Sequence, residues 1–429
     1  MPSGLSIFLV LVALYALFAA KLDRMSVSMP IVFVIFGAIL GPHGLGVLRN
    51  APDWPIFELV VEMTLALLLF ADAATISARE VAKDKALPAR LLFVALPLSI
   101  ALGGVAALVI FPSEGLGFAL LLGAILAPTD AALGLPIFTN EKVPLRIRRA
   151  LNMESGLNDG IAAPFVAVFS TLALSVVGLE HGSALASALT EIAIAVAVAT
   201  GVGLLGGWVF ALAVRRQWTS GMAEQIGCVA LALTAYSTAL TMGGNGFIAA
   251  FVAGLLFGFM GRGLVQEGIE FPEITGTSLS LLVWTVFGAY AVLPVLRAFD
   301  PLELLFGLLA LTAIRMIAVR LATLGTKMRA DTVVLMGWFG PRGLASVVFT
   351  LKAMEAFAGA GRSIDRLVGM AVWTILLSVF LHGVSALPVT EWYWKRLAGA
   401  PRTIPEFADV AETGALRRTV ASRHSGSIT

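Results

Sequence analysis

Long apolar runs separated by short polar connections dominate the chain. Read for stretches of about 20 apolar residues, the length that crosses a hydrocarbon core, the pattern predicts roughly thirteen spans: 4 to 20, 28 to 48, 55 to 73, 89 to 111, 116 to 138, 150 to 177, 185 to 214, 222 to 241, 243 to 261, 274 to 296, 301 to 320, 332 to 353 and 366 to 389. These runs are too long and unbroken for the alternating strands of about ten residues in an outer-membrane barrel. Lipid offers backbone groups no partner, so the spans are expected to be helices and the fold class an all-α polytopic membrane protein. Two spans carry interruptions: Pro128 with Thr129 and Asp130 in the fifth, and Gly340-Pro341-Arg342-Gly343 in the twelfth. Proline lacks a donor and glycine weakens a helix, so both are predicted to be discontinuous. They lie seven spans apart and therefore run in opposite directions. Spans 1-6 and 8-13 are thus expected to form an inverted repeat with two crossing broken helices.

Composition sharpens the class. Of 429 residues, 59% are hydrophobic and only 13% charged, against about 25% charged in an ordinary soluble domain. No Lys or Arg precedes the first apolar run, which is therefore expected to stay as a helix and not to be cleaved as a leader. With the N-terminus outside, the odd-numbered connections would carry sixteen basic residues and the opposite side five. The positive-inside bias then places the C-terminus in the cytoplasm, and the expected location is a bacterial inner membrane. Residues 1-397 read as one transmembrane domain and 398-429 as a short, polar, disordered cytoplasmic tail. That tail is too short for a regulatory domain of about 100 residues. Cys228 stands alone and rules out a disulfide framework or thiolate cage. His43, His181, His382 and His424 are scattered without metal-ligand spacing. No phosphate-binding loop is present, so the driving force is expected to be an ion gradient, with no cofactor and no nucleic-acid partner.

Against this background the ionisable residues inside apolar stretches stand out. An ionised Asp at bilayer depth costs about 2.5 to 3.5 kcal/mol on insertion scales, so a partner, a proton or an ion must hold it. Asp130 sits in Pro128-Thr129-Asp130-Ala131, and Asp159 in Glu154-Ser155-Gly156-Leu157-Asn158-Asp159. A broken helix exposes partial charges at its new ends, and crossing two of them brings like ends together. Asp130 beside one break and Arg342 beside the other are placed to balance those ends. On the sixth span, Ser155 and Asp159 share a face directed toward Thr129 and Asp130, a set of oxygens suited to a hard cation. Glu154 and Asn158 share the adjacent face. Arg315, in the middle of the eleventh span, is the best partner for Glu154, with Asn158 expected to bridge the pair. Asp72, near the cytoplasmic end of the third span, reads equally as a solvated helix-end carboxylate or as part of an ion path.

These stretches carry a resemblance. Pro128-Thr129-Asp130, Glu154-Ser155-Gly156-Leu157-Asn158-Asp159 and Phe339-Gly340-Pro341-Arg342-Gly343 are similar to the signatures of monovalent cation/proton antiporters of the NhaP and mammalian sodium/proton exchanger family. The likeness covers about residues 4 to 395, and the Glu-Ser-x-x-Asn-Asp stretch is its most specific part. It implies an inverted-repeat core, a homodimer and exchange of sodium, or else lithium or potassium, for a proton. It further implies that Asp159 binds cation and proton in turn, with Ser155, Asp130 and Thr129 around it, and it places Asp72 where relatives have an acid. Asn158 stands where the electrogenic branch of the superfamily has a second Asp, which implies electroneutral exchange. Ala131 follows Asp130 where many relatives have proline.

Two rivals remain open at this level. Two membrane-embedded Asp residues could serve an intramembrane aspartyl protease, but neither lies in a Gly-x-Gly-Asp setting and no Pro-Ala-Leu stretch is present. A passive cation channel would need a short filter loop rich in backbone carbonyls, and none is evident.

Overall fold

The structure is a computed structural model that describes residues 2–25, 27–48, 52–76, 86–176, 184–261, 266–361, 363–401 and 403–408. His181, His424 and residues 409–429 of the stretch read as a tail lie outside the described residues. Among the described residues the regular elements are helical throughout, with no strand.

In chain order the helices are α1 (Pro2–Arg24), α2 (Met29–Leu40), α3 (Trp54–Ala74), α4 (Ala86–Ile110), α5 (Gly115–Leu126), α6 (Ala131–Phe138), α7 (Leu145–Val176) and α8 (Ala184–Arg215). They continue with α9 (Gly221–Thr241), α10 (Gly246–Gly261), α11 (Gln266–Phe287, running on through a π turn at Gly288–Val292 into Leu293–Arg297), α12 (Pro301–Ala322), α13 (Ala330–Trp338), α14 (Leu344–Gly359) and α15 (Asp365–Leu397). Seven of them, α1, α4, α7, α8, α11, α12 and α15, are each long and apolar enough to cross a membrane. Local chemistry sets several starts. Asp300 accepts from the Leu302 amide at 2.8 Å directly before Pro301, and Ser220 caps α9 through the Ala223 amide, the side-chain acceptors that helix N-termini favour.

Three helix ends depart widely from the hydropathy reading: α2 stops short of 48, α11 starts at Gln266 and not at 274, and α15 runs on to Leu397 and not to 389. The second span, expected over 28 to 48, stops at Leu40, because Gly41 and Pro42 end the helix and 41–48 fold into turns. The spans read over 116 to 138 and 332 to 353 are each divided into two helices, α5–α6 and α13–α14, as Pro128 and the Gly340-Pro341 run predict. The predicted disordered tail also begins too early. Residues 403–408 pack back on the bundle, with Glu406 fully buried and accepting from the Arg329 amide and the Thr332 hydroxyl, each at 2.8 Å. A distant carboxylate thereby caps the N-terminus of α13, a partner that no local spacing discloses.

Packing places the broken helices in the interior. α3 lies against α10 and α11, and α8 against α10; α5 packs between α4 and α7, α6 rests on α7 and α15, and α12 rests on α15. The main apolar core runs through α3, α5, α10, α11, α14 and α15, with Phe70, Phe257, Trp284, Phe306 and Phe349 buried in it. α1 contributes little to this core and leaves Leu5, Leu9, Leu14, Leu17 and Phe18 exposed.

Candidate functional site

The two interruptions meet. α5 ends at Leu126 and α6 starts at Ala131; α13 ends at Trp338 and α14 starts at Leu344. The residues between are non-helical, and each break frees amides on one side and carbonyls on the other. The Asp130 amide donates to the Pro341 carbonyl at 2.7 Å, joining one break to the other through the backbone. Its carboxylate then serves two helices: Oδ1 accepts from the Leu133 amide of α6 at 3.1 Å and Oδ2 from the Leu344 amide of α14 at 2.9 Å. Two positive helix ends thus share one negative charge. Arg342, 1% exposed, turns to the opposite kind of end and donates from Nη1 to the Gly340 carbonyl at 2.8 Å.

Two glycines make this approach possible. A Cβ on Gly343 would land on the Asp130 carboxylate, and one on Gly340 would lie 2.5 Å from the Arg315 Nε. Neither position has room for a side chain.

α7 supplies the polar lining of the first break. Ser155 donates to the Thr129 carbonyl at 2.9 Å, and Asn158 donates from Nδ2 to the Thr129 hydroxyl at 2.5 Å. Asp159 lies one turn beyond Ser155, interacts electrostatically with Asp130 and Asp72, and its Oδ1 is buried with no hydrogen-bond partner among the described residues. Asn158 Oδ1 is likewise buried without a partner among the described residues, whereas both Asp130 oxygens and the Thr129 carbonyl are engaged, so Asp159 is a buried acid with an open acceptor beside a second open oxygen. Asp72 on α3 faces the backbone of α7 beside Gly156, where a Cβ on that glycine would come within 3.6 Å of its own. It interacts with Glu273 of α11 as well as with Asp130. Three carboxylates from three helices therefore converge on one interior region.

Glu154 and Arg315 form a bidentate ion pair at 2.6 and 2.8 Å, and both residues are 1% exposed. Arg315 follows directly on a π turn, Ala310–Ile314, a widening that often accompanies functional positions in helices. The expected bridging role of Asn158 does not hold. The guanidinium fork uses both carboxylate oxygens, and the Asn158 Nδ2 donates to the Thr129 hydroxyl instead. Asn158 lies between the Glu154 and Ser155 directions on α7, and a residue there can reach a partner on either flank.

Ser346, Ser378 and Ser385 at the breaks were not singled out in the sequence, and His382 figured there only as one of four scattered histidines. Ser346 of α14 donates to the Ile125 carbonyl at 2.7 Å, covering the end of α5. Ser378, His382 and Ser385 of α15 bond to the segment around the second break. The signal that could have found the last three is their spacing, i, i+4 and i+7 on an otherwise apolar span.

A separate carboxylate group, Glu58, Glu62 and Glu355, surrounds the Lys352 ammonium, which lies 3.3 Å from Glu58, 2.7 Å from Glu62 and closer still to Glu355. The lysine already fills that cluster.

Two broken helices that meet beside buried carboxylates form a discontinuous-helix architecture of the kind membrane transporters use. The sequence profile described as "Sodium/hydrogen exchanger, transmembrane" matches residues 7–392, and the chain belongs to that family. Among curated relatives it is 26% identical over 378 residues to the K(+)/H(+) antiporter NhaP of Alkalimonas amylolytica, covering 86% of this chain and 63% of that protein. It is 27% identical over 337 residues to the Na(+)/H(+) antiporter ApNhaP of Aphanothece halophytica, covering 75% and 62%. The chain thus spans about three fifths of the length of these relatives. Among solved structures, the sodium proton antiporter MjNhaP1 of Methanocaldococcus jannaschii superposes with a TM-score of 0.74 at 19% identity, covering 91% of this chain and 98% of that one. At this identity the likeness establishes a common fold.

Proposed function

We propose that this chain is a secondary antiporter that exchanges a monovalent cation for a proton, with Asp159 as the carboxylate that takes each in turn. The observation that carries the reading is the buried, unpartnered Asp159 Oδ1 beside a cluster of oxygens at the crossing. Either a cation or a proton neutralises Asp159, and only the neutral site changes its exposure from one side to the other without a large dielectric cost. Exclusive occupancy couples the two fluxes. Thr129, Asp130, Ser155 and, at the cytoplasmic approach, Asp72 supply the remaining oxygens, while Glu154, Arg315, Asn158 and Arg342 hold the frame.

Sodium is the first candidate for the cation, with lithium and potassium next; relatives described as sodium and as potassium antiporters support that range. A single acid at the Asn158-Asp159 position favours one proton for one cation and electroneutral exchange. The charge distribution favours an external N-terminus and a cytoplasmic C-terminus in a bacterial inner membrane, where the exchange would serve pH homeostasis. The uncovered apolar face of α1 suits lipid or a second copy in a homodimer. No cofactor is required by this cycle.

The test is acridine-orange dequenching in proteoliposomes with each alkali cation in turn. The full chain is expected to dequench with at least one cation, and Asp159→Asn to stay at the level of empty vesicles. Exchange persisting in Asp159→Asn would overturn the assignment, and proton flux that ignores every alkali cation would overturn the function.

A further inference from the structure

Each broken helix is followed in the chain by a long span that supplies its polar partners, but the two spans do so differently. α7 offers Ser155, Asn158 and Asp159 to the first break, and one acidic oxygen there stays open. α15 offers Ser378, His382 and Ser385 to the second break, and all three are engaged. The Arg342 amide donates to Ser378 Oγ at 2.5 Å, His382 Nε2 lies 2.8 Å from the Trp338 carbonyl, and the Trp338 indole donates to Ser385 Oγ at 2.8 Å. Nε2 thus faces the end of α13, while Nδ1 lies 3.0 Å from the Ser378 carbonyl and 3.2 Å from the Ser378 hydroxyl, so both ring nitrogens are engaged. Ser378 and His382 are fully buried, and the His382 ring packs against those of Trp338 and Phe339.

We infer that the Ser378–His382–Ser385 stripe of α15 positions the second break for ion binding, as the closed counterpart of the open stripe on α7. The inference rests on the antiport reading above. The stripe takes a carbonyl from the end of α13 and an amide from the residue after Pro341, fixing the segment at both sides of its bend. The same segment reaches the ion site: the Pro341 carbonyl accepts from the Asp130 amide, and the Leu344 amide donates to the Asp130 carboxylate. None of the three α15 residues touches that carboxylate in the contacts described. They act on the cation through the backbone of 340–344, as positioning residues. A histidine serves here because its two ring nitrogens, at a fixed separation, meet α15 on one side and the end of α13 on the other.

The experiment measures exchange against cation concentration in proteoliposomes for Ser378→Ala, Ser378→Thr, His382→Leu and His382→Gln, with the folded fraction of each scored by gel filtration. Ser378→Ala and His382→Leu are expected to raise the half-saturating cation concentration about three- to tenfold, the worth of roughly one hydrogen bond, while the maximal rate per folded protein changes less than about twofold. Ser378→Thr and His382→Gln, which keep the bonding groups, are expected to recover most of the wild-type value. If His382→Leu does not fold, the Ser378 pair decides alone. A packing role only would lower the folded fraction and leave half-saturation unchanged, and that result would overturn the inference. A wild-type protein that saturates with no alkali cation would instead bring down the antiport reading, and this inference with it.

Discussion

The backbone amide of Asp130 donates to the carbonyl of Pro341 at 2.7 Å, so the two breaks in this bundle are hydrogen-bonded to each other and not merely adjacent. The bond ties residues more than two hundred positions apart at the point where both helices lose their ladders. It also fixes where the Asp130 carboxylate points, between the starts of α6 and α14.

Gly343→Ala should therefore damage the crossing directly, because the added carbon would occupy the space of the Asp130 carboxylate. Displacing that group removes two N-caps at about 1 kcal/mol each, so the expected loss is about 2 kcal/mol together with most of the exchange activity. Gly359→Ala, at the far end of the helix that Gly343 precedes and with nothing nearby, is the control and should behave as wild type in a detergent melting assay.

Glu154 and Arg315 should show strong non-additivity. Removing one partner from a buried pair strands the other charge and typically costs about 3 to 5 kcal/mol, whereas replacing both costs far less. Glu154→Gln and Arg315→Met are each expected to melt well below the double variant. Equal losses in the singles and the double would show that the bidentate contact carries no coupling.

Lys352→Met should leave Glu58, Glu62 and Glu355 facing one another between α3 and α14. The side chains are partly exposed, so the effect is expected to be modest, about 1 kcal/mol or less at low ionic strength. Added salt screens like charges, so the gap in melting temperature from wild type should narrow as sodium chloride is raised. A gap independent of salt would point to lost packing instead.

Glu406→Ala should destabilise α13 from a distance. The carboxylate holds the Arg329 amide and the Thr332 hydroxyl, which in turn meets Tyr393 at 3.1 Å. Losing hydrogen bonds to a buried charged acceptor costs about 1.5 to 3 kcal/mol. The check is thermal melting, with Glu391→Ala as a control at a half-exposed position paired with Lys142.

Much of the frame was legible in the sequence. The apolar runs located the helices, though the ends of α2, α11 and α15 were each misplaced by about two turns, and Pro128 and Pro341 marked both breaks, because a missing donor interrupts a helix wherever it falls. Glu154 pointed to Arg315 across 161 positions, since two charges inside apolar spans have few other ways to be compensated. The partner of Asn158 was not legible for the complementary reason: an uncharged amide has many possible partners, and the one it takes is set by which neighbour lies nearest. The stripe on α15 and the buried Glu406 escaped notice because serine, histidine and glutamate there satisfy backbone groups of remote segments.

The sequence by itself determined that the chain is a helical membrane protein, with two interrupted spans and a small set of buried charges. Those facts follow from the cost of apolar surface in water and of charge in lipid, which each residue carries wherever it is placed. Only the tertiary structure decided that Asp130 caps two helices, that Asn158 turns to Thr129, that Ser378 and His382 close the second break, and that Asp159 keeps an oxygen open. Hydrogen bonds act over about 3 Å, so their partners are chosen by the way the helices cross, which no local pattern encodes.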